Sequence, residues 1–278
     1  MSHIADAEAS LRAGDPEAAL QKLQNAVREK PSDAKLRIFL FQLLSVQGSW
    51  ERALNQLNVS AELDASALAM AQMYREALKC ELLRAEVFAG RKSPVIFGQP
   101  EQWLALLIES LLQAGHGNAE HATALREQAF ELAPMTSGSI NDQPFSWIAD
   151  ADMRLGPVCE AVINGRYYWL PYSNLAQIDI EEPEDLRDQV WCPAHFVFSN
   201  GGESIGVIPT RYPGSEASDD GLIRLARKTD WVEAAGGLFT GLGQRVLTTD
   251  AGEFALLDVR TIKLDEVAGE ADEAGGEE

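Results

Sequence analysis

The chain reads as an α+β protein of two domains. α-Helical hairpin repeats come first, and a β-rich domain follows, a small antiparallel sheet or partly closed barrel with one short helix. Three observations predict this. Residues 1–134 are rich in Ala, Leu, Glu and Gln at helical spacing and echo themselves every 34 positions. Residues 135–264 shift to Gly, Pro, Val, Ile, Trp and Tyr in short alternating runs. Residues 265–278, DEVAGEADEAGGEE, hold seven acids and no base. A length of 278 residues leaves room for two domains, and 46% apolar against 24% charged residues excludes wholesale disorder. The last segment has one valine and no larger apolar side chain, so it cannot offset its own ordering entropy and is expected to be a disordered acidic tail.

The helices are justified in order by the echo. Gly14-Asp15-Pro16-Glu17-Ala18-Ala19-Leu20 returns in type as Gly48-Ser49-Trp50-Glu51-Arg52-Ala53-Leu54, and Leu23 and Leu57 keep the same step. A third copy begins at Gly117, where Ala122, Arg126, Ala129 and Pro134 stand at the offsets of Ala19, Leu23, Ala26 and Pro31. Gly permits the tight turn between two helices, Ala lets the helices approach, and Pro ends the second. A period of 34 with these residues is the tetratricopeptide signature. Between the copies, Leu36, Phe39, Leu40, Leu43 and Leu44, widened by Ile38, Phe41 and Val46, mark a helix apolar almost all round, which must be buried between neighbours. Trp103, Leu104, Leu107, Ile108, Leu111 and Leu112 mark another. An amphipathic stretch over residues 66–89 joins them out of strict register. Its Met70 and Met73 suit a core face better than an adaptable groove.

The second region is read as strands. Residues 158–164 and 166–170 flank Asn164-Gly165, a strong hairpin signal. Further strands are expected over 176–180, 195–198, 204–208, 244–249 and 254–259, with Asp250-Ala251-Gly252 as a turn and one helix over 219–227. Residues 133–144, around Met-Thr-Ser-Gly-Ser, read as a linker.

Charge narrows the function classes. Residues 1–134 carry 13 basic and 17 acidic groups and residues 135–264 carry 10 and 19, within a total net charge of −20. Nucleic-acid affinity rests on Lys and Arg neutralising phosphates, so such a partner is excluded, and so is an anionic membrane surface. Cys80, Cys159 and Cys192 cannot all pair, so no disulfide framework is implied and a reducing compartment fits. With no signal peptide and no apolar run of membrane-spanning length, a cytoplasmic location is expected.

Candidate chemistry is sparse, and no catalytic residue, metal or cofactor is expected. Cys192-Pro-Ala-His195 offers a thiol and an imidazole, but it borders a strand run and lacks an orienting third group. His116 and His121 lie too far round a helix to share a face. Gly236-Gly-Leu-Phe-Thr-Gly-Leu-Gly243 is glycine-rich, yet a strand follows it, so the helix N-terminal field of a phosphate loop is missing. The acids around Pro183 read as a solvated turn rather than a facing dyad. Arg211-Tyr212-Pro213-Gly214-Ser215 places a cation, an aromatic ring and a tight turn together, and Trp231, Phe239 and Arg245 follow in similar settings. Arg and aromatic residues dominate interface hot spots. Arg211, Tyr212, Trp231, Phe239 and Arg245 are therefore the expected partner-binding residues, with ion-paired Arg and core aromatics as the alternative.

These segments, in this order, resemble the ImpE/SciE/TagJ family, accessory proteins of bacterial type VI secretion systems. The matching stretches are Asn164-Gly-Arg-Tyr-Tyr-Trp-Leu-Pro171, Leu186-Arg-Asp-Gln-Val-Trp-Cys-Pro-Ala194, Pro209-Thr-Arg-Tyr-Pro-Gly-Ser-Glu216, Arg227-Lys-Thr-Asp-Trp231 and Gly241-Leu-Gly-Gln-Arg245. With the helical repeats, the likeness covers residues 1–264. The resemblance implies a non-enzymatic cytoplasmic protein that binds the small subunit of the contractile sheath through an amphipathic helix near that subunit's N-terminus. It also implies an indirect link to the AAA+ ATPase that disassembles the sheath. The residues agree independently, because stacked helical repeats form concave surfaces and an apolar groove is a common way to hold a helix. Two other readings stand beside it. One is a hydrolase or transferase using Cys192 and His195. The other is a repeat-type assembly chaperone that recognises acidic tails through Lys30, Lys35 and Arg37.

Overall fold

In the computed structural model, which describes residues 3–266, seven helices precede a β-rich half. The expected tail falls mostly on residues 267–278, outside the described residues. Helices α1 (His3–Arg12), α2 (Pro16–Glu29), α3 (Ala34–Val46) and α4 (Trp50–Leu63) form two antiparallel hairpins. The long α5 (Leu68–Phe88) leads to a third hairpin, α6 (Gln102–Gly115) and α7 (Ala119–Leu132). Asp15 caps α2 by accepting from Ala18 N–H at 2.8 Å, with Pro16 at the first helical position. Asp33 caps α3 in the same way, toward Lys35 and Leu36.

The echoed glycines are helix C-terminal turns. Gly14 (φ +79°) donates to Leu11 O while Asp15 donates to Ser10 O, and Gly48 (φ +65°) and Ser49 repeat both bonds toward Ser45 and Leu44. Gly117 and Asn118 do so again toward Ala114 and Gln113. This is a Schellman closure, which needs the left-handed conformation that glycine adopts without a steric penalty.

The β half contains one eight-stranded antiparallel sheet, larger than expected, ordered β2-β1-β13-β6-β7-β8-β4-β5. Its strands are β1 (Gly138–Ile140), β2 (Gln143–Phe145), β4 (Val158–Ile163), β5 (Arg166–Pro171), β6 (Leu175–Ile180), β7 (Trp191–Phe198), β8 (Glu203–Pro209) and β13 (Thr261–Leu264). A three-stranded sheet pairs β3 (Ile148–Asp150) with β11 (Val246–Thr249), and β11 with β12 (Gly252–Ala255). A separate hairpin joins β9 (Thr229–Ala234) to β10 (Leu238–Gly243). The Asn164-Gly165 turn forms as read: both residues have positive φ and Ile163 pairs with Arg166 across it.

Several expectations are corrected. The stretch expected as a linker contains β1 and the start of β2, paired into the main sheet against β13. The helix over 219–227 shrinks to one turn, α8 (Gly221–Arg224), because Ala226 turns left-handed at φ +52°. The final expected strand stops at Ala255 and becomes a 3-10 turn, Leu256–Asp258.

Strand alternation divides the core. On β4, Val158, Glu160 and Val162 face the helices while Cys159, Ala161 and Ile163 face the opposite layer. Tyr167, Trp169, Trp191 and Val207 join Phe41, Tyr74 and Leu78 in one cluster spanning both halves. Tyr168, Cys192, Phe196 and Ile208 join Leu247, Leu256 and Ile262 in the second. Trp191 lies 5.7 Å from Tyr74 and 6.0 Å from Trp50, ring centre to ring centre. No described helix is long and apolar enough to cross a membrane.

Candidate partner-binding site

The residues expected at a partner interface separate into two groups. Arg211 is buried against the end of α3, and Tyr212 and Arg245 are buried within the β half, whereas Trp231 and Phe239 are 41% and 46% exposed on the β9–β10 hairpin. The single recognition face expected from sequence is therefore corrected for the first three. A guanidinium or phenol sealed inside the packed chain has no surface to offer.

Arg211 acts as a helix cap. It donates to Val46 O at 2.7 Å and Ser45 O at 3.3 Å at the end of α3, and also to Arg224 O. Arg227 does the same for α1, donating to Leu11 O at 2.6 Å. The acceptors Leu11 and Ser45 are one 34-residue step apart, so two arginines of the β half read the repeat of the helical half. The segment between them lies along the repeat turns, with Leu222 over the open face of Gly14 and Glu216 over that of Gly48. Burial pulls the Arg211 guanidinium down to about 10, because its own hydrogen bonds go to carbonyls while carboxylates stand only nearby.

Glu160 is the centre of the junction. It accepts from Arg84 of α5 at 2.7 and 3.0 Å, from Arg245, and from the Tyr167 hydroxyl, which itself accepts from Trp169 Nε1 at 2.7 Å. Burial pushes its carboxyl up, but the Arg84 and Arg245 charges outweigh that and hold it at about 2. Arg245 also pairs with Asp150, whose carboxyl accepts from Tyr212 at 3.0 Å. There burial wins over Arg245 and raises Asp150 to about 6. Glu81 of α5 accepts from Trp191 Nε1 at 2.8 Å. Sequence order gave no hint that Arg84, Glu81 and Glu160 meet, since the bonds span up to 110 residues.

The face that α3 and α5 turn toward the second domain is covered by the 3-10 turn Leu186–Gln189 and by Trp191 of β7. What the helices leave open is a groove of about 620 Å³ between α4 and α5. Trp50 and Leu54, one turn apart on α4, face Leu78 and Leu82, one turn apart on α5, with Glu51, Arg52 and Lys79 at the edge. Leu82 is 59% exposed. A 34-residue step from Gly48 lands on Leu82, where the helix runs on instead of turning.

Cys192 and His195 do not form a reactive pair. Three residues apart on β7, they point to opposite faces. Cys192 lies in the inner layer, where burial pushes its thiol up to about 12, and His195 meets Glu203 at 3.1 Å on the outer side.

Comparison with known proteins fits this architecture. A family model described as ImpE protein matches residues 142–263, and one described as tetratricopeptide repeat matches residues 10–77. Over 256 residues, 92% of this chain and 90% of the relative, the sequence is 54% identical to the type VI secretion system accessory component TagJ of Pseudomonas aeruginosa. The fold is similar to that of a Vibrio parahaemolyticus protein solved by X-ray crystallography, with a TM-score of 0.85 at 27% identity over 94% of this chain and 98% of that one. With identity to TagJ along nearly its whole length and the ImpE model matching most of its β half, the chain belongs to the ImpE/TagJ family.

Proposed function

We propose that the protein is a non-enzymatic, cytoplasmic accessory component of a type VI secretion system. It captures an amphipathic helix near the N-terminus of the small sheath subunit and so bears indirectly on sheath disassembly by the AAA+ ATPase. The observation that carries this reading is the α4–α5 groove. Trp50/Leu54 and Leu78/Leu82 are two facing apolar ridges with helical spacing, the surface on which a third helix packs. Because the repeat register fails at Leu82, that side chain stays 59% exposed beside the half-buried Trp50 and Leu54, with Leu78 as the buried floor, and a helix from a partner would complete the stack. The separation of Cys192 from His195 speaks for binding without bond-making. Against the chaperone reading, Arg37 is engaged by Pro31 O and Gln56 Oε1, which leaves only Lys30 and Lys35 exposed of that cluster.

Calorimetric titration with a synthetic peptide of the sheath subunit's N-terminal helix tests the proposal. Micromolar or tighter binding is expected, retained by a chain lacking residues 265–278. Leu82→Asp, a surface change, is expected to weaken it by about tenfold or more. No heat and no co-purification with the intact sheath subunit would reject the reading.

A further inference from the structure

We propose a second docking site: the groove between the end of α7 and the β3–β11 sheet takes a basic amphipathic segment of a partner protein, an apolar anchor flanked by Lys or Arg. The groove measures about 490 Å³, enough to enclose a large side chain and its neighbours. Phe130 and Met135 form one wall, Trp147 and Thr248 the other, and Met153 one end. Met135 is 79% exposed, an extreme for an apolar side chain. Met153 extends the site: its N–H donates to Phe239 O and its sulfur receives the Phe239 N–H, both at 3.3 Å. The groove thus runs into the hairpin face that presents Trp231 and Phe239. Methionine-lined surfaces adapt to varied apolar partners. Thr136, in the groove lining, is buried, and its hydroxyl has no partner among the described residues.

Charge selects the occupant. No Lys or Arg lines the groove. Glu131 in the last turn of α7, Glu253 opposite Thr248, and Glu233 opposite Phe239 are exposed and form no ion pair among the described residues. The carbonyl end of α7 adds negative potential at the same edge. Arg154, beside Met153, is neutralised by Asp152 and turned onto the Phe88 ring, while Arg126, one turn before Phe130, is buried against Thr123. A second copy of this chain, at net −20, would bring like charges to an acidic rim, so a basic partner is the complementary one.

The test uses the full chain and a labelled short peptide with Leu or Phe at every third or fourth position and Lys between, followed by fluorescence anisotropy. Binding that weakens with salt is expected. It should be lost when Ser replaces the apolar positions at equal charge, and should fall by about tenfold or more in Met135→Asp. Leu82→Asp, in the other groove, should leave it unchanged. The double variant Glu131→Lys/Glu253→Lys, with both changes on the surface, should weaken binding and flatten its salt dependence. Equal binding of the Ser peptide, unchanged affinity in Met135→Asp, or loss in Leu82→Asp alone would each overturn the proposal.

Discussion

Glu160 shows what a buried charge does here: Arg84 comes from the helices, Arg245 from the connection between β10 and β11, and one carboxylate satisfies both. Removing one partner of such a set leaves uncompensated charge, at a cost of about 3–5 kcal/mol. Glu160→Gln is therefore expected to lose about that much stability at neutral pH in urea titrations. Because Glu160 is held at about 2 against an ordinary 4.5, its contribution is present above 4.5 and lost as pH falls toward 2. The gap between wild type and Glu160→Gln should narrow across that window; a constant gap would contradict the assignment. Asp150 works oppositely. Raised by burial to about 6 from 3.8, it contributes below 3.8 and loses that contribution as pH rises through 6. Arg211→Ala should also lower the melting temperature, by stripping the caps of α3, whereas Trp231→Ala on the surface should stay within about 1 kcal/mol. The arginine and aromatic types at these positions stood out in sequence, but burial sorted them. An Arg that caps a helix inside the chain and one that binds a partner are the same letter.

At the scale of elements, the glycines divide by what surrounds them. Gly14 and Gly48 were legible because a helix C-terminal turn requires positive φ and the requirement recurs with the repeat. The Gly236–Gly243 run was half legible. Gly236 and Gly237, at φ +77° and +67°, make the hairpin turn, but residues 238–243 are a strand whose small residues carry no strand signature. Gly241 is there because the Tyr212 ring lies 2.2 Å from where its Cβ would stand. That ring is held by Asp150 and by the Val246 N–H, so it cannot yield. Gly241→Ala is expected to cost about 1–3 kcal/mol and to raise hydrogen exchange across residues 229–243. Unchanged exchange would mean the hairpin does not depend on this contact. The irregular edges have physical covers too. Val95, in the connection after α5, bridges β5 at Tyr168, and Pro144 sits on edge strand β2.

For the whole molecule, one apolar cluster runs from Leu11 and Leu23 through Tyr74 to Trp169 and Trp191, so the two halves share a core. Calorimetry is expected to record one cooperative unfolding transition, with exchange protection in α3 and β4 lost together. Two separated transitions would show that the junction contributes little. The shared core also explains why the repeats do not present their inner face to a partner: Trp191 and the Leu186–Gln189 turn occupy it. The groove that stays open lies on the α4–α5 side, where the helix runs past the repeat register and Leu82 is uncovered.

Sequence alone determined the helical hairpins through their 34-residue period, the Asn164-Gly165 turn through its residue types and the change of class between the halves through composition, and its motifs carried the family resemblance, since each depends on residues close together in the chain. The tertiary structure decided which arginines are buried, that strands flank the expected linker's turn, and which grooves stay open. These depend on contacts between segments separated by up to 216 residues, as between Arg227 and Leu11. Local pattern carries no record of such distances, because burial and charge pairing are properties of the packed molecule.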